Sequence, residues 1–240
     1  MRKYYEKIYK SGYKAYEEVL NNCLLNEKKS FVITANPETL MIGTKNRGFN
    51  KILLRDDVSI VPDGIGVVKA GQFLGYPIKE RVTGVEIAKS LLEMADKQKK
   101  SIYLLGAHKD VLNKLVSKIS KEYPGIVISG YTDGYVKDKD AVFENIVKLE
   151  PDIVLVALGI PQQEMLIGKF YDKFNKGIFV GVGGSFDVLS GMKKRAPEIF
   201  IKLNLEWLYR ICKEPKRLGR FVKSNVMFLF KIIKLKFKGK

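Results

Sequence analysis

Gly177-Ile-Phe-Val-Gly-Val-Gly-Gly-Ser185 is the stretch on which the fold turns. Its first half is a short apolar run of strand-forming residues, and glycine then takes over where a buried strand should end. Glycine lets backbone N–H groups approach and wrap an anion, and a helix starting near Ser185 would add its positive end to that field. Gly183, Gly184 and Ser185 are therefore candidate binding residues. The same residues also suit a tight strand-to-helix turn with no ligand, because a glycine cluster without fixed register is a weak signal.

The pattern repeats along the chain. Phe31-Val-Ile-Thr-Ala, Val58-Ser-Ile-Val, Ile102-Tyr-Leu-Leu, Ile126-Val-Ile and Ile153-Val-Leu-Val are near-continuous apolar runs, with helical patterns between the later ones. Such runs belong to parallel strands covered on both faces. The expected fold is α/β, a mostly parallel, Rossmann-like sheet with helices on both faces. Residues 12 to 28 read as helix. Asn36-Pro37-Glu38 is a cap followed by proline, predicting a helix through about Arg47. From Gly84 to about Gln98, Ile87, Ala88, Leu91, Leu92 and Ala95 share one helical face. The chain divides into an α/β catalytic domain, 1 to 195, and a basic, amphipathic helical appendage, 196 to 240.

With 240 residues and 46% of them apolar, the chain can bury a real core. Cys23 and Cys212 match no metal or redox spacing, so reduced thiols in a reducing cytosol are expected. Arg2 and Lys3 precede tyrosines and charges rather than an apolar stretch, which is not the pattern of a signal peptide. Nowhere do about 18 apolar residues run uninterrupted, so no spanning helix is expected.

The net charge is +17, and residues 202 to 240 hold twelve Lys or Arg against Glu206 and Glu214. At helical spacing Val226, Leu229, Phe230, Ile233 and Phe237 fall on one face with Lys231, Lys234 and Lys238 on a flank, which suits a helix lying in a lipid interface. Each basic group near an anionic leaflet contributes about 1 kcal/mol, so four engaged would give roughly 4 kcal/mol. A helix docked on its own domain and a nucleic-acid-binding arm are the competing readings. Large aliphatic residues interleave the charges, which favours the membrane and argues against nucleic acid as partner.

Ligands of parallel α/β sheets gather at the carboxyl ends of the strands. Asp63, between Pro62 and Gly64 directly after a predicted strand, is held on a stiff turn at that edge and suits a general base; it also suits an N-cap for the next helix. Thr34, Asn36 and Gln163 can bind sugar hydroxyls or cap helices, and Arg81 can pair with a phosphate or an acidic side chain. His108, the one histidine, reads as exposed or as a cap. Asp133-Gly-Tyr-Val-Lys-Asp-Lys-Asp lacks calcium-loop spacing, and Gly106-Ala-His-Lys-Asp lacks the dinucleotide fingerprint, so no metal site and no bound cofactor are expected. On paper Asp63 and Asp187 could also pair as the two carboxylates of a glycoside hydrolase, and the basic tail also suits a binding module without catalysis.

With these residues assembled, the chain resembles the WecG/TagA/CpsF family, glycosyltransferase family 26. The resemblance spans about Phe31 to Arg220 and rests on ordered blocks: Thr34-Ala-Asn36-Pro-Glu, Val61-Pro-Asp63-Gly, Glu80-Arg81-Val-Thr-Gly, Tyr103-Leu-Leu-Gly, Ala157-Leu-Gly-Ile-Pro-Gln-Gln163-Glu, Gly181-Val-Gly-Gly-Ser-Phe-Asp187, and Leu205-Glu-Trp-Leu-Tyr-Arg210 with Glu214-Pro. It implies an inverting, metal-independent transfer of an N-acetylhexosamine, by family precedent N-acetylmannosamine or its uronic acid. The donor is a UDP-sugar and the acceptor a polyprenyl-diphosphate-linked N-acetylglucosamine at the cytoplasmic face of the membrane, for teichoic acid-type polymers. By position, Asp63 resembles the catalytic base; Thr34, Asn36, Arg81 and Gln163, with Gly183, Gly184, Ser185 and Asp187, line the substrate pocket. Arg210, Arg217 and Arg220 resemble residues of an appendage that closes over the site and faces the diphosphate. The resemblance leaves room for a homo-oligomer.

Overall fold

The computed structural model of the chain describes residues 1–213 and 218–237, with backbone only for Arg210, Arg220 and Phe221. Six strands, β1 (Lys29–Ala35), β2 (Val58–Pro62), β3 (Ser101–Gly106), β4 (Val127–Thr132), β5 (Ile153–Ala157) and β6 (Gly177–Gly181), form one sheet in the order β2-β1-β6-β5-β3-β4. Every neighbouring pair is parallel. All six apolar runs are thus strands, and the α/β expectation holds.

Alternate side chains explain why the runs are apolar throughout. Phe31, Ile33, Ile60, Leu105, Val156 and Phe179 enter a core on one face, while Val32, Val61, Leu104, Leu155 and Val180 enter a second core on the other. The helices Arg47–Leu54, Lys139–Leu149 and Gln162–Phe170 cover the first face; Tyr13–Leu25, Gly84–Gln98 and Lys109–Glu122 cover the second. Connections stepping one way along the sheet lie on one face and those stepping back lie on the other, as a single crossover hand requires. All carboxyl ends therefore meet at one edge.

The helix expected to run from Pro37 to about Arg47 ends at Gly43, and a second one, Arg47–Leu54, follows. The start of that second helix ends the first. A Cβ at Gly43 would lie 2.4 Å from Leu53 Cδ1, so the glycine lets the second helix pack close against the end of the first. Asn46 then starts afresh, its side-chain oxygen accepting from Phe49 N at 3.0 Å. At the other end of the first helix the Asn36 cap forms as expected, accepting from Thr39 N at 3.0 Å.

The C-terminal helix Leu218–Phe237 lies across Pro37–Gly43 and Ile65–Leu74. It docks through Phe228 and Ile232, which are buried. Leu229, Phe230 and Phe237 on its other side remain 58%, 70% and 68% exposed. The self-docked reading and the outward apolar stripe are both realised, on different faces.

Glu164, in the first turn of Gln162–Phe170, is fully buried. One of its oxygens accepts from Gln163 Nε2 at 2.7 Å and the other has no partner. Burial outweighs that hydrogen bond and pushes its pKa from the usual 4.5 up to about 7. Because the folded value is the raised one, the unfolded chain releases this proton first, and the penalty grows as pH rises from 4.5 to about 7. Glu164→Gln keeps a carbonyl for Gln163 and is expected to gain up to about 3 kcal/mol at pH ~8 and little at pH ~4.5. Urea unfolding of both proteins at the two pH values measures this; an equal difference at each would refute it.

Candidate active site

Asp63 sits at the carboxyl end of β2, and two backbone bonds fix it there. Its N–H donates to Ala35 O at 2.9 Å, and Val82 N donates to Pro62 O at 2.8 Å, which draws Arg81 to the same edge. The following helix, Ile65–Leu74, takes Gly64 as its cap, so the capping alternative for Asp63 falls away. A Cβ on Gly64 would stand 3.3 Å from Asn36 Cβ, so the turns after β1 and β2 touch and Asp63 lies beside Asn36.

Next to them the turn after β6 is tied into shape from both sides. Thr34 Oγ1 donates to Gly181 O at 3.2 Å, joining β1 to β6. Gln163, 1% exposed, accepts from Gly159 N and Gly183 N, each at 3.1 Å, joining the turns after β5 and β6. Ser185 Oγ donates to Val182 O at 2.6 Å. These three side chains are buried, and their oxygens are spent on the backbone, while Gln163 Nε2 donates to Glu164; they set the floor of the site. Gly183 has φ +51°, a conformation glycine adopts without strain. The helix after it, Ser185–Leu189, is only five residues long, and the N–H groups of Gly183 and Ser185 are engaged, the first by Gln163 and the second by Val182 O within the turn. The amide cradle expected from the glycines is correspondingly smaller, with Gly184 exposed at its rim. Asp187 closes this turn: its carboxylate is 3.6 Å from Lys193 Nζ, and its carbonyl accepts from Lys193 N at 2.8 Å.

Arg81 points to the C-terminal segment. Its guanidinium is 3.5 Å from Glu206 Oε2 and donates to Ile201 O at 3.3 Å. Of the two partners foreseen for it, the acidic side chain is the one in place. A second tie lies close by. Thr83 caps Gly84–Gln98, Glu86 accepts from Thr83 Oγ1 at 2.7 Å, and Arg195 Nη2 donates to Glu86 at 2.9 Å. Burial alone would raise the Glu86 carboxyl, but the hydrogen bonds from Thr83 and Arg195 outweigh it and hold the group below its ordinary value. A cleft of about 480 Å³ opens between these elements, lined by Tyr13, Lys69, Gln72, Glu80, Arg81 and Asn204.

Arg210 lies on Glu206–Lys213 and Arg220 on Leu218–Phe237, their side chains outside the described atoms, and Arg217 lies outside the described residues. His108 is exposed at the start of Lys109–Glu122, its ring centroid 5.5 Å from that of Tyr135. Cys23 and Cys212 are free thiols. Among the described residues no group of three or more His, Cys, Asp or Glu could hold a metal ion.

Three participants escaped the sequence reading. The Thr83-x-x-Glu86 box was legible as a helix start. Glu164 carries no such sign, and Glu206 gave none of its reach to Arg81, because a contact across 125 positions has no local pattern.

Comparison with known proteins gives a consistent answer. The sequence model of the glycosyl transferase WecG/TagA/CpsF family matches residues 7–240. An N-acetylglucosaminyldiphosphoundecaprenol N-acetyl-beta-D-mannosaminyltransferase of Bacillus subtilis (strain 168) is 43% identical over 213 residues, 88% of this chain and 83% of its own length. The protein of that name from Bacillus spizizenii is 43% identical over 195 residues, 81% of this chain and 76% of its own. That from Staphylococcus aureus (strain MW2) is 38% identical over 211 residues, 88% and 82% of the two chains. A parallel α/β sheet with an acid on its carboxyl edge, a family match over nearly the whole chain and relatives at this identity agree: the chain belongs to the glycosyl transferase WecG/TagA/CpsF family.

Proposed function

We propose that the protein transfers N-acetylmannosamine from a UDP-linked donor to N-acetylglucosamine carried on a polyprenyl diphosphate, with inversion at the anomeric carbon and without a metal ion. The names of its relatives support the sugar and the acceptor. The observation that carries the chemistry is Asp63, a carboxylate fixed at the carboxyl edge with Arg81 on the adjoining segment.

In this mechanism Asp63 takes the proton from an acceptor-sugar hydroxyl. The oxygen attacks the anomeric carbon from the face opposite UDP, and the bond to UDP breaks with its electrons passing to the diphosphate. A base placed within reach contributes ~10² to 10⁴ in rate. The departing diphosphate gains negative charge, which guanidinium groups stabilise through paired hydrogen bonds. Arg81, Arg210, Arg217 and Arg220 supply that role, Arg81 by exchanging the Glu206 carboxylate for phosphate oxygens. Thr34, Gln163, Gly183, Gly184 and Ser185 shape the donor site, and Asn36 flanks the base.

The exposed apolar stripe of Leu218–Phe237 supports attachment to an anionic membrane surface, where the lipid-linked acceptor resides. None of the described helices is long and apolar enough to cross a membrane.

Acceptor-dependent UDP release from UDP-N-acetylmannosamine is expected with a chelator present; release that requires added Mg²⁺ would overturn the metal-free mechanism. Asp63→Asn should lower turnover by ~10² or more and leave UDP binding in place. Near-normal turnover would remove Asp63 from its role. Replacing Leu229, Phe230 and Ile233 with Glu should cut partition onto phosphatidylglycerol vesicles by at least ~10-fold at unchanged thermal stability, since all three are exposed. Undiminished partition would put the membrane contact elsewhere.

A further inference from the structure

The segment between the Pro37–Gly43 and Arg47–Leu54 helices bounds a second cavity, of about 300 Å³, against the C-terminal helix. Among the described residues its charged side chains are Lys45, Arg47 and Lys231, with the N-terminal Met1 also in the wall and no Asp or Glu lining it. Lys45 Nζ lies 4.0 Å from the sulfur of Met227. The two asparagines in the wall have their acceptor oxygens occupied: Asn46 Oδ1 by Phe49 N at 3.0 Å, and Asn50 Oδ1 by the Tyr4 hydroxyl. Their NH₂ groups add donors to the wall. The Arg47–Leu54 helix also begins here, adding the positive end of its dipole. Burial, and then the charge of Lys45, hold the Lys231 ammonium below its ordinary pKa. Three cationic side chains and several donors thus line one space, with no acidic side chain among the described residues of its wall.

We propose that this cavity is a phosphate-binding site, separate from the Asp63 edge, and that an anionic lipid headgroup supplies the phosphate. The tetrahedral oxygens of a phosphate accept from ammonium, guanidinium and amide donors together, which matches this lining. The lipid source follows from the helix that contributes Lys231. Val222, Val226, Leu229 and Ile233, with Phe230 and Phe237 at its edge, form its exposed apolar stripe, and at about 100° per residue Lys231 stands across the helix from the centre of that stripe. When such a stripe enters the acyl boundary, the opposite flank lies about one helix diameter, roughly 10 Å, shallower, at headgroup level. This assignment of the source rests on the membrane contact proposed above; the phosphate chemistry of the cavity does not.

The test compares the pair Lys45→Gln and Lys231→Gln with a pair of equal charge loss on the same exposed surface, Lys223→Gln and Lys234→Gln. Two readouts are taken, partition onto phosphatidylglycerol vesicles and thermal stabilisation by inorganic phosphate against chloride at equal ionic strength. The cavity pair is expected to lose at least about tenfold more partition than the control pair, and to lose the phosphate stabilisation that wild type and control retain. Loss of the phosphate effect with equal partition in the two pairs would keep the site but overturn the lipid source in favour of free phosphate. Wild type that fails to bind vesicles would sink the membrane contact itself, while the phosphate arm still decides the cavity. If the two pairs behave alike in both readouts, there is no phosphate site.

Discussion

A parallel sheet buried on both faces can afford polar groups in only two places, its two ends. Strands β1, β5 and β6 present apolar side chains to a core above and a core below, so nothing along their length is open to a ligand. Every neighbouring pair is parallel, so the turns that leave the sheet, after Ala35, Pro62, Ala157 and Gly181, meet along one edge. Asp63, Asn36, Gln163 and the glycine turn are neighbours for that reason, although they are scattered across the chain.

Meeting at an edge is not enough for chemistry, because turns are the least constrained part of such a fold. Here side chains below the surface hold them. Thr34 bonds the strand beside it, and Gln163 spans two turns with one carbonyl oxygen. Gln163 is in turn held by Glu164, whose carboxyl is buried with one oxygen lacking a partner. A lone buried carboxyl is costly, and remaining protonated is how it limits that cost. The rigidity of the floor and the acid strength of Glu164 are consequences of the same packing.

The C-terminal helices divide their surface between the protein and something else. Phe228 and Ile232 satisfy the core, Glu206 and Ile201 engage Arg81, and the remaining apolar side chains of the last helix face outward. The ion pair at Arg81, 3.5 Å long, ties the C-terminal segment to a residue that lines the cleft.

Local sequence patterns determined the six strands, the cap at Asn36, the helix from Gly84 to Gln98 and the amphipathic tail, because each depends on residues within a few positions of one another, and the double-faced apolar runs marked the strands as parallel. Asp63 was legible for the same reason: an acid between proline and glycine at a strand end is a local pattern. Only the tertiary structure decided that Gly43 packs against Leu53, ten residues later, that Thr34 bonds Gly181, and that Gln163 ties the turns after β5 and β6 together. The pairing of Arg81 with Glu206, the burial of Glu164 and the gathering of Lys45, Arg47 and Lys231 around one cavity belong to the same class. Each is a contact between residues whose separation along the chain carries no period, and such contacts exist only once the sheet order has brought distant segments together.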